Sequence, residues 1–227
     1  MTKEKVIAFV PMRSGSKGII DKNIKEINSM PLFYWMISAL LESVEIDRVI
    51  VSTDSNEYAK LVRTYCPKAE IVYRSKENSS DDSSTESAVI EFLESNPQLE
   101  GSILLAQLTS PIVTSEDVDE FINYAKVTPE ESSLSVVSMS DRFIWDRTGL
   151  PKNYNPLNRS RRQDLKIKKE YLVENGMFYY NSIQSWRNSK CRIIPPCGIF
   201  EMSKETILEI DTEEDFRIIE SIMRSIF

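Results

Sequence analysis

The sequence predicts a doubly wound α/β fold on a mostly parallel sheet. Three observations carry that expectation. Five short apolar runs rich in β-branched residues recur along residues 6–138, with the length and composition of buried strands. Helix-start signals and helical apolar spacing separate these runs, giving the strand–helix alternation of parallel βαβ units. The turn densest in glycine and cations follows the first run directly, where such a sheet opens toward a ligand.

The first run is Val6–Val10, a buried strand. It leads into Pro11-Met12-Arg13-Ser14-Gly15-Ser16-Lys17-Gly18, then Lys22-Asn23. This loop holds two of the chain's six glycines and three cations, Arg13, Lys17 and Lys22. Glycine permits positive φ and close backbone approach, and successive N–H groups in such a turn cradle anions. A plain βα turn with solvated cations is the alternative. The order Gly-x4-Gly-Lys-Ser/Thr is missing, as is the third glycine of Gly-x-Gly-x-x-Gly, so the common ATPase and dinucleotide loops lose ground.

Pro31 opens a helix carrying Leu32, Trp35, Met36, Ala39 and Leu40 at helical spacing. Arg48–Ser52 is the second strand, and Asp54 is read as the cap of a helix from about Asn56 to Tyr65. Glu70–Tyr73 is the third strand, closed by Arg74. The Ser/Asp-dense stretch 75–87 reads as a solvated loop ending in a capping box, Ser83–Glu86, that starts another helix. Ser102–Ala106 is the fourth strand, feeding Gln107-Leu108-Thr109-Ser110-Pro111. Thr114–Asp117 is a second capping box, opening a helix to about Lys126, and Leu134–Ser138 is the fifth strand.

Beyond residue 138 the alternation stops. Between Asn158 and Lys169 lie six cations against one Asp164, a run suited to a solvated loop or to anions. Strands are expected at Met177–Tyr180, Ile193-Ile194 and Gly198–Met202. Glu209 and Asp211 are expected to alternate on a strand and so share one face, as a hard cation would require. Thr212 with Asp215 forms a third capping box, and Phe216, Ile219, Met223 and Ile226 stripe the last helix.

The chain has 227 residues and a net charge of −7, which speaks against general nucleic-acid binding. Three cysteines, Cys66, Cys191 and Cys197, without a Cys-x-x-Cys pair suggest a reducing compartment and no structural zinc. Histidine is absent, which removes Ser-His-Asp and Cys-His catalysis and leaves carboxylates as metal ligands. No apolar run approaches membrane-spanning length and the N-terminus is no signal peptide, so a soluble, cytoplasmic protein without membrane partners is expected.

Arg13-Ser14-Gly15-Ser16-Lys17-Gly18 with Lys22-Asn23 resembles the nucleotide loop of the acylneuraminate cytidylyltransferase (CMP-sialic acid synthetase) family. The likeness runs from about residue 5 to residue 222. It includes Val51-Ser52-Thr53-Asp54, Arg74-Ser75 through Ser84-Thr85, Gln107 with Thr109-Ser110-Pro111, Arg161-Arg162-Gln163-Asp164, Glu174-Asn175-Gly176 and Asp211-Thr212. Val113 and Val173 stand where many members carry arginine.

The resemblance implies a Rossmann-like nucleotidyltransferase fold in one domain, 1–227, with 139–180 as an inserted dimerisation arm. It implies a Mg²⁺-dependent enzyme joining CTP to a nine-carbon acidic sugar, such as sialic acid or legionaminate, with release of pyrophosphate. Arg13, Ser14, Gly15, Ser16, Lys17, Lys22, Asn23, Arg74 and Ser84 would meet the nucleotide. Gln107, Tyr179 and Arg162 (with Arg161 the register alternative), the arginine coming from a neighbouring subunit in a homodimer or homotetramer, would meet the sugar. Asp211 would hold the metal, with Glu209 as an outer ligand, and Arg13, Lys22, Asp211 and Arg162 would carry the chemistry. A CMP-Kdo synthetase, another sugar nucleotidyltransferase of this fold, and a non-catalytic nucleotide- or sugar-binding homologue are the alternatives.

Overall fold

The computed structural model describes residues 4–15, 18–80, 83–139, 142–159, 161, 163 and 171–226. A seven-stranded sheet forms its centre, with strand order β5-β4-β1-β6-β8-β7-β9. Its strands are β1 (Val6–Pro11), β4 (Arg48–Thr53), β5 (Glu70–Tyr73), β6 (Ser102–Ala106), β7 (Ser132–Ser138), β8 (Leu172–Ser182) and β9 (Gly198–Glu201). A two-stranded hairpin, β2 (Glu26–Ile27) and β3 (Met30–Pro31), stands apart. All neighbours in the large sheet pair parallel except β8, which runs antiparallel between β6 and β7.

Helices cover both faces, which is why β1, β4 and β6 read as unbroken apolar runs rather than alternating ones. Phe33, Met36, Val118 and Phe121 of α1 (Leu32–Glu42) and α4 (Ser115–Val127) pack on one face. Tyr58 and Val62 of α2 (Asn56–Tyr65) join them. Val89 and Phe92 of α3 (Thr85–Glu94) and Trp186 of α5 (Ile183–Ser189) pack on the other. The last helix, α6 (Glu213–Ile226), buries Phe216, Ile219 and Met223 against Ile27 and Leu32, closing a third cluster. No helix among the described residues is long and apolar enough to cross a membrane.

Several local expectations change. Ser55, not Asp54, caps α2, accepting the Tyr58 N–H at 3.3 Å. Ser84 caps α3 through the Ser87 N–H, because Glu86 turns away to a bidentate pair with Arg192. The reciprocal boxes at Thr114/Asp117 and Thr212/Asp215 form. Ile193-Ile194 is no strand: its Ile194 main chain bonds the Ser132 hydroxyl, and the next two residues, prolines, lack N–H donors. Residues 208–211 are not in a sheet either. Residues 172–180, assigned from sequence to the arm, lie in β8, and none of the described residues of 139–171 is in the large sheet.

Candidate active site

The chain steps outward from β1 to β4 and β5, then crosses back over β1 to β6. Strand order therefore reverses between β1 and β6, and a crevice opens beyond their C-terminal ends. A cleft of about 180 Å³ lies there, lined by Pro11 at the end of β1, by residues that follow β1 (Arg13, Lys22, Asn23), β5 (Arg74) and β6 (Gln107, Leu108, Thr109), and by the N-terminus of α3 (Ser83, Ser84, Thr85). Arg13, Lys22, Asn23, Arg74, Ser84 and Gln107, all named from sequence, thus meet in one place.

Lys22 is the joint between the two ends of the chain. Its side chain is only 13 % exposed, and its ammonium donates to the Ile210 carbonyl at 2.6 Å and to Asp211 at 3.1 Å. Asp211 is 70 % exposed at its side chain, so its carboxylate remains open to solvent and ligands. The contact exists because Gly18 lies against the Asp211 carbonyl, closer than any β-carbon would permit. The Ile210 N–H donates to the Thr109 carbonyl at 2.8 Å, tying this tract to the loop after β6.

Asn23 is buried and donates to the Arg13 carbonyl at 3.1 Å, fixing the loop from within. Gly15 turns the chain at φ +71°. Ser14 does not offer its donors to the cleft: its N–H and hydroxyl both go to Asp54, each at 2.7 Å. Burial works to raise the Asp54 pKa, and these two bonds with nearby Arg74 outweigh it, leaving the carboxyl below its ordinary range. Arg74 donates to the Ser52 hydroxyl at 2.9 Å and carbonyl at 3.1 Å. Burial, with Arg13 beside it, pulls Arg74 down to about 10 despite Asp54.

Burial and the charges of Asp211 and Glu174 raise the Glu209 carboxyl above its ordinary value, with Lys22 opposing. Glu209 is half-buried, its carboxylate over Gly176, so it does not present the same open face as Asp211. Among the described residues no cluster of three or more acidic, histidine or cysteine side chains forms a metal cage.

Tyr179 does not line the cleft. It is 5 % exposed within the apolar layer under α3, its hydroxyl donating to Glu174 at 2.9 Å, and burial pushes its pKa up to about 12. Ser16, Lys17 and Arg162 lie outside the described residues. Two residues escaped the sequence reading. Thr109 lines the cleft with a buried hydroxyl lacking a protein partner, an acceptor-donor left for a ligand. Asn175, fully buried, bonds Ser135, Thr206 and the Met177 N–H at the irregularity where β8 shifts register on β7. Neither has a periodic signal; only their place in the quoted motifs marked them.

A family model described as cytidylyltransferase matches residues 7–224. N-acylneuraminate cytidylyltransferase B of Danio rerio is 33 % identical over 222 residues, spanning 94 % of this chain and 50 % of that protein. N-acylneuraminate cytidylyltransferase of Streptococcus agalactiae serotype V is 29 % identical over 228 residues, spanning 93 % and 52 %. The chain spans about half the length of the curated relatives it matches. Among solved structures, CMP:2-keto-3-deoxy-manno-octonic acid synthetase complexed with CTP aligns with TM-score 0.71 at 15 % identity, covering 98 % of this chain and 100 % of that one. A 4-diphosphocytidyl-2C-methyl-D-erythritol synthase aligns equally, with TM-score 0.71 at 14 % identity over 98 % and 100 %. These two share the α/β fold, and by the family match over residues 7–224 the chain belongs to the cytidylyltransferase family.

Proposed function

We propose that this chain transfers CMP from CTP to a nine-carbon acidic sugar and releases pyrophosphate. One observation carries the reading: Lys22, which lines the cleft with Arg13, Arg74 and Gln107, is bonded to Asp211, 189 positions away and just outside that lining. Three cations around one small cleft in a protein of net charge −7 suit a polyphosphate. The named activity of relatives at 29–33 % identity supports the sugar class.

In this reading the sugar's C2 hydroxyl oxygen bonds to the α-phosphorus while the bond from that phosphorus to the β-phosphate oxygen breaks. Arg13 and Lys22 hold the triphosphate and stabilise charge on the departing pyrophosphate. Arg74, Ser84 and Asn23 orient the nucleotide, and Gln107 and Thr109 face the sugar side. Asp211 is the candidate acceptor for the hydroxyl proton. Mg²⁺ fits the donor set through Asp211, an open carboxylate beside Lys22, with Glu209 behind it; waters and phosphate oxygens complete such sites. When bound it supplies charge neutralisation on phosphate oxygens.

The segment 139–171 is read as the arm to a second copy. Trp145, Leu150 and Leu157 are exposed there at 52 %, 62 % and 97 %, a density of apolar surface that suits an interface. A reducing, cytoplasmic setting accords with three free cysteines.

The test is pyrophosphate release with CTP, Mg²⁺ and a panel of sugar acids. Turnover with nine-carbon acids supports the proposal. Turnover only with an eight-carbon acid favours the octonic-acid synthetase reading that the first structural neighbour suggests, and CTP binding without release favours a binding protein.

A further inference from the structure

The first turn of α2 and the residue before its cap reach back onto the nucleotide loop at two points. Asp54, just beyond β4, accepts both Ser14 donors at 2.7 Å. One helical turn on, the buried Tyr58 hydroxyl donates to Asp21 at 2.8 Å. Ser14 and Asp21 are the two shoulders of the loop: Arg13 precedes the first and Lys22 follows the second. Asp21 itself sits at φ +52°, a left-handed conformation that a non-glycine residue holds only when its surroundings fix it.

Asp54 has a second relation to the site. Arg13 and Arg74 both line the cleft, and each guanidinium repels the other. Asp54 lies within electrostatic reach of Arg74 and is bonded to the residue after Arg13, yet does not line the cleft. We propose that Asp54 is a positioning residue for the nucleotide's phosphates: it latches the loop through Ser14 and offsets the paired guanidiniums, so the cradle is set before ligand arrives. Asp54 never touches the nucleotide. The Ser14 N–H belongs to this latch and not to the phosphate cradle, and the cradle's charge comes from side chains. Preorganisation of this kind lowers the cost of binding the phosphates and leaves base recognition alone.

This inference rests on the CTP reading above and deepens it. The test compares CTP, which fills the phosphate cradle, with CMP, which lacks the outer two phosphates. Asp54→Asn preserves shape, removes the charge and retains an acceptor for one of the two Ser14 donors. The expected result is a KM and a dissociation constant for CTP raised by about tenfold, with CMP affinity and kcat within about twofold to threefold of the parent. Ser14→Ala, which deletes one of the two bonds, is expected to raise the CTP constants by about twofold to fivefold. The double variant Asp54→Asn/Ser14→Ala is expected to bind CTP no more weakly than Asp54→Asn alone, since both changes act through one latch. Equal weakening of CTP and CMP, an unchanged CTP constant, or additive losses overturn the latch. If Asp54→Asn does not fold, Ser14→Ala decides alone: an unchanged CTP constant refutes the proposal. A parent protein that binds no CTP sinks the nucleotide reading as well, whereas a parent that binds it beside indifferent variants sinks the latch only.

Discussion

Replacing Lys22 by methionine tests the contact on which the site depends. Methionine fills a similar volume, so the change removes charge and donors more than packing. The structure sets the stability cost. The ammonium's bond to the Ile210 carbonyl at 2.6 Å is worth roughly 1 kcal/mol net, and its pairing with the 70 % exposed Asp211 adds about 0–1 kcal/mol after solvent screening. For a chain of this size that is a fall in Tm of about 2–8 °C. The catalytic cost is larger, because a preorganised charge beside the leaving phosphate acts most in the transition state. Removing one such stabiliser costs about 2.7–4 kcal/mol, or a loss on the order of 10²–10³ in turnover. Pyrophosphate release at saturating sugar acid and varied CTP measures this, with a thermal melt alongside. A folded Lys22→Met protein with kcat/KM within about threefold of the parent refutes the placement of Lys22 at the reacting phosphates.

Asp211→Asn is expected to cut turnover by on the order of 10²–10³ and to raise the Mg²⁺ concentration needed for half-maximal rate; activity within about threefold of the parent removes Asp211 from the site. Gly18→Ala places a β-carbon on the Asp211 carbonyl, and the forced shift is expected to lower Tm by about 2–12 °C together with CTP turnover, an unchanged melt counting against the close approach. Arg192 holds Glu86 below its ordinary 4.5 through a bidentate bond, against the effect of burial, so their contribution is present above that value and lost as pH falls through the folded one. Arg192→Met is therefore expected to lower Tm by about 2–4 °C at neutral pH, with the gap closing in acid; a constant gap refutes the pairing. Mixed Lys22→Ala and Arg162→Ala chains are expected to regain activity that neither has alone if subunits share sites; none in a verified heterodimer argues against the shared arm.

The parallel strands were legible because burial on both faces writes them as continuous apolar runs: Val6–Val10 and Ser102–Ala106 stand out without help from their neighbours. The long strand β8 was half visible. Its inner part, Met177–Tyr180, is apolar and buried, while Leu172–Glu174 are exposed and resemble a loop. Its antiparallel insertion between β6 and β7 is a tertiary choice with no local mark. In the site, the glycine-and-cation turn announced itself by composition. Asp54 was misassigned because Ser55, the next residue, is an equally good cap and takes that place. Tyr179 followed the motif around it into the sugar list, although strand alternation turns its ring toward α3 and the apolar layer.

The pattern of Glu209 and Asp211 suggested a strand, and its failure to be one explains the geometry better than a strand would. A strand would have pointed both carboxylates to the same face. Instead four residues from three separate segments register this tract. Gly18 admits the Asp211 carbonyl, Gly176 admits the Glu209 carboxylate, the Thr109 carbonyl accepts the Ile210 N–H, and Lys22 caps the Ile210 carbonyl. Gly176 does this at φ +66°, a conformation that a larger residue there would adopt only under strain. Two glycines, one in the first loop and one in β8, thus replace ladder hydrogen bonds in fixing where the acids lie. The consequence is chemical: Glu209 is drawn half into the protein with its pKa raised, while Asp211 is left outward against a lysine. Adjacent acids of the same charge acquire different environments, one suited to an outer support and the other to direct contact with a cation or a reacting hydroxyl.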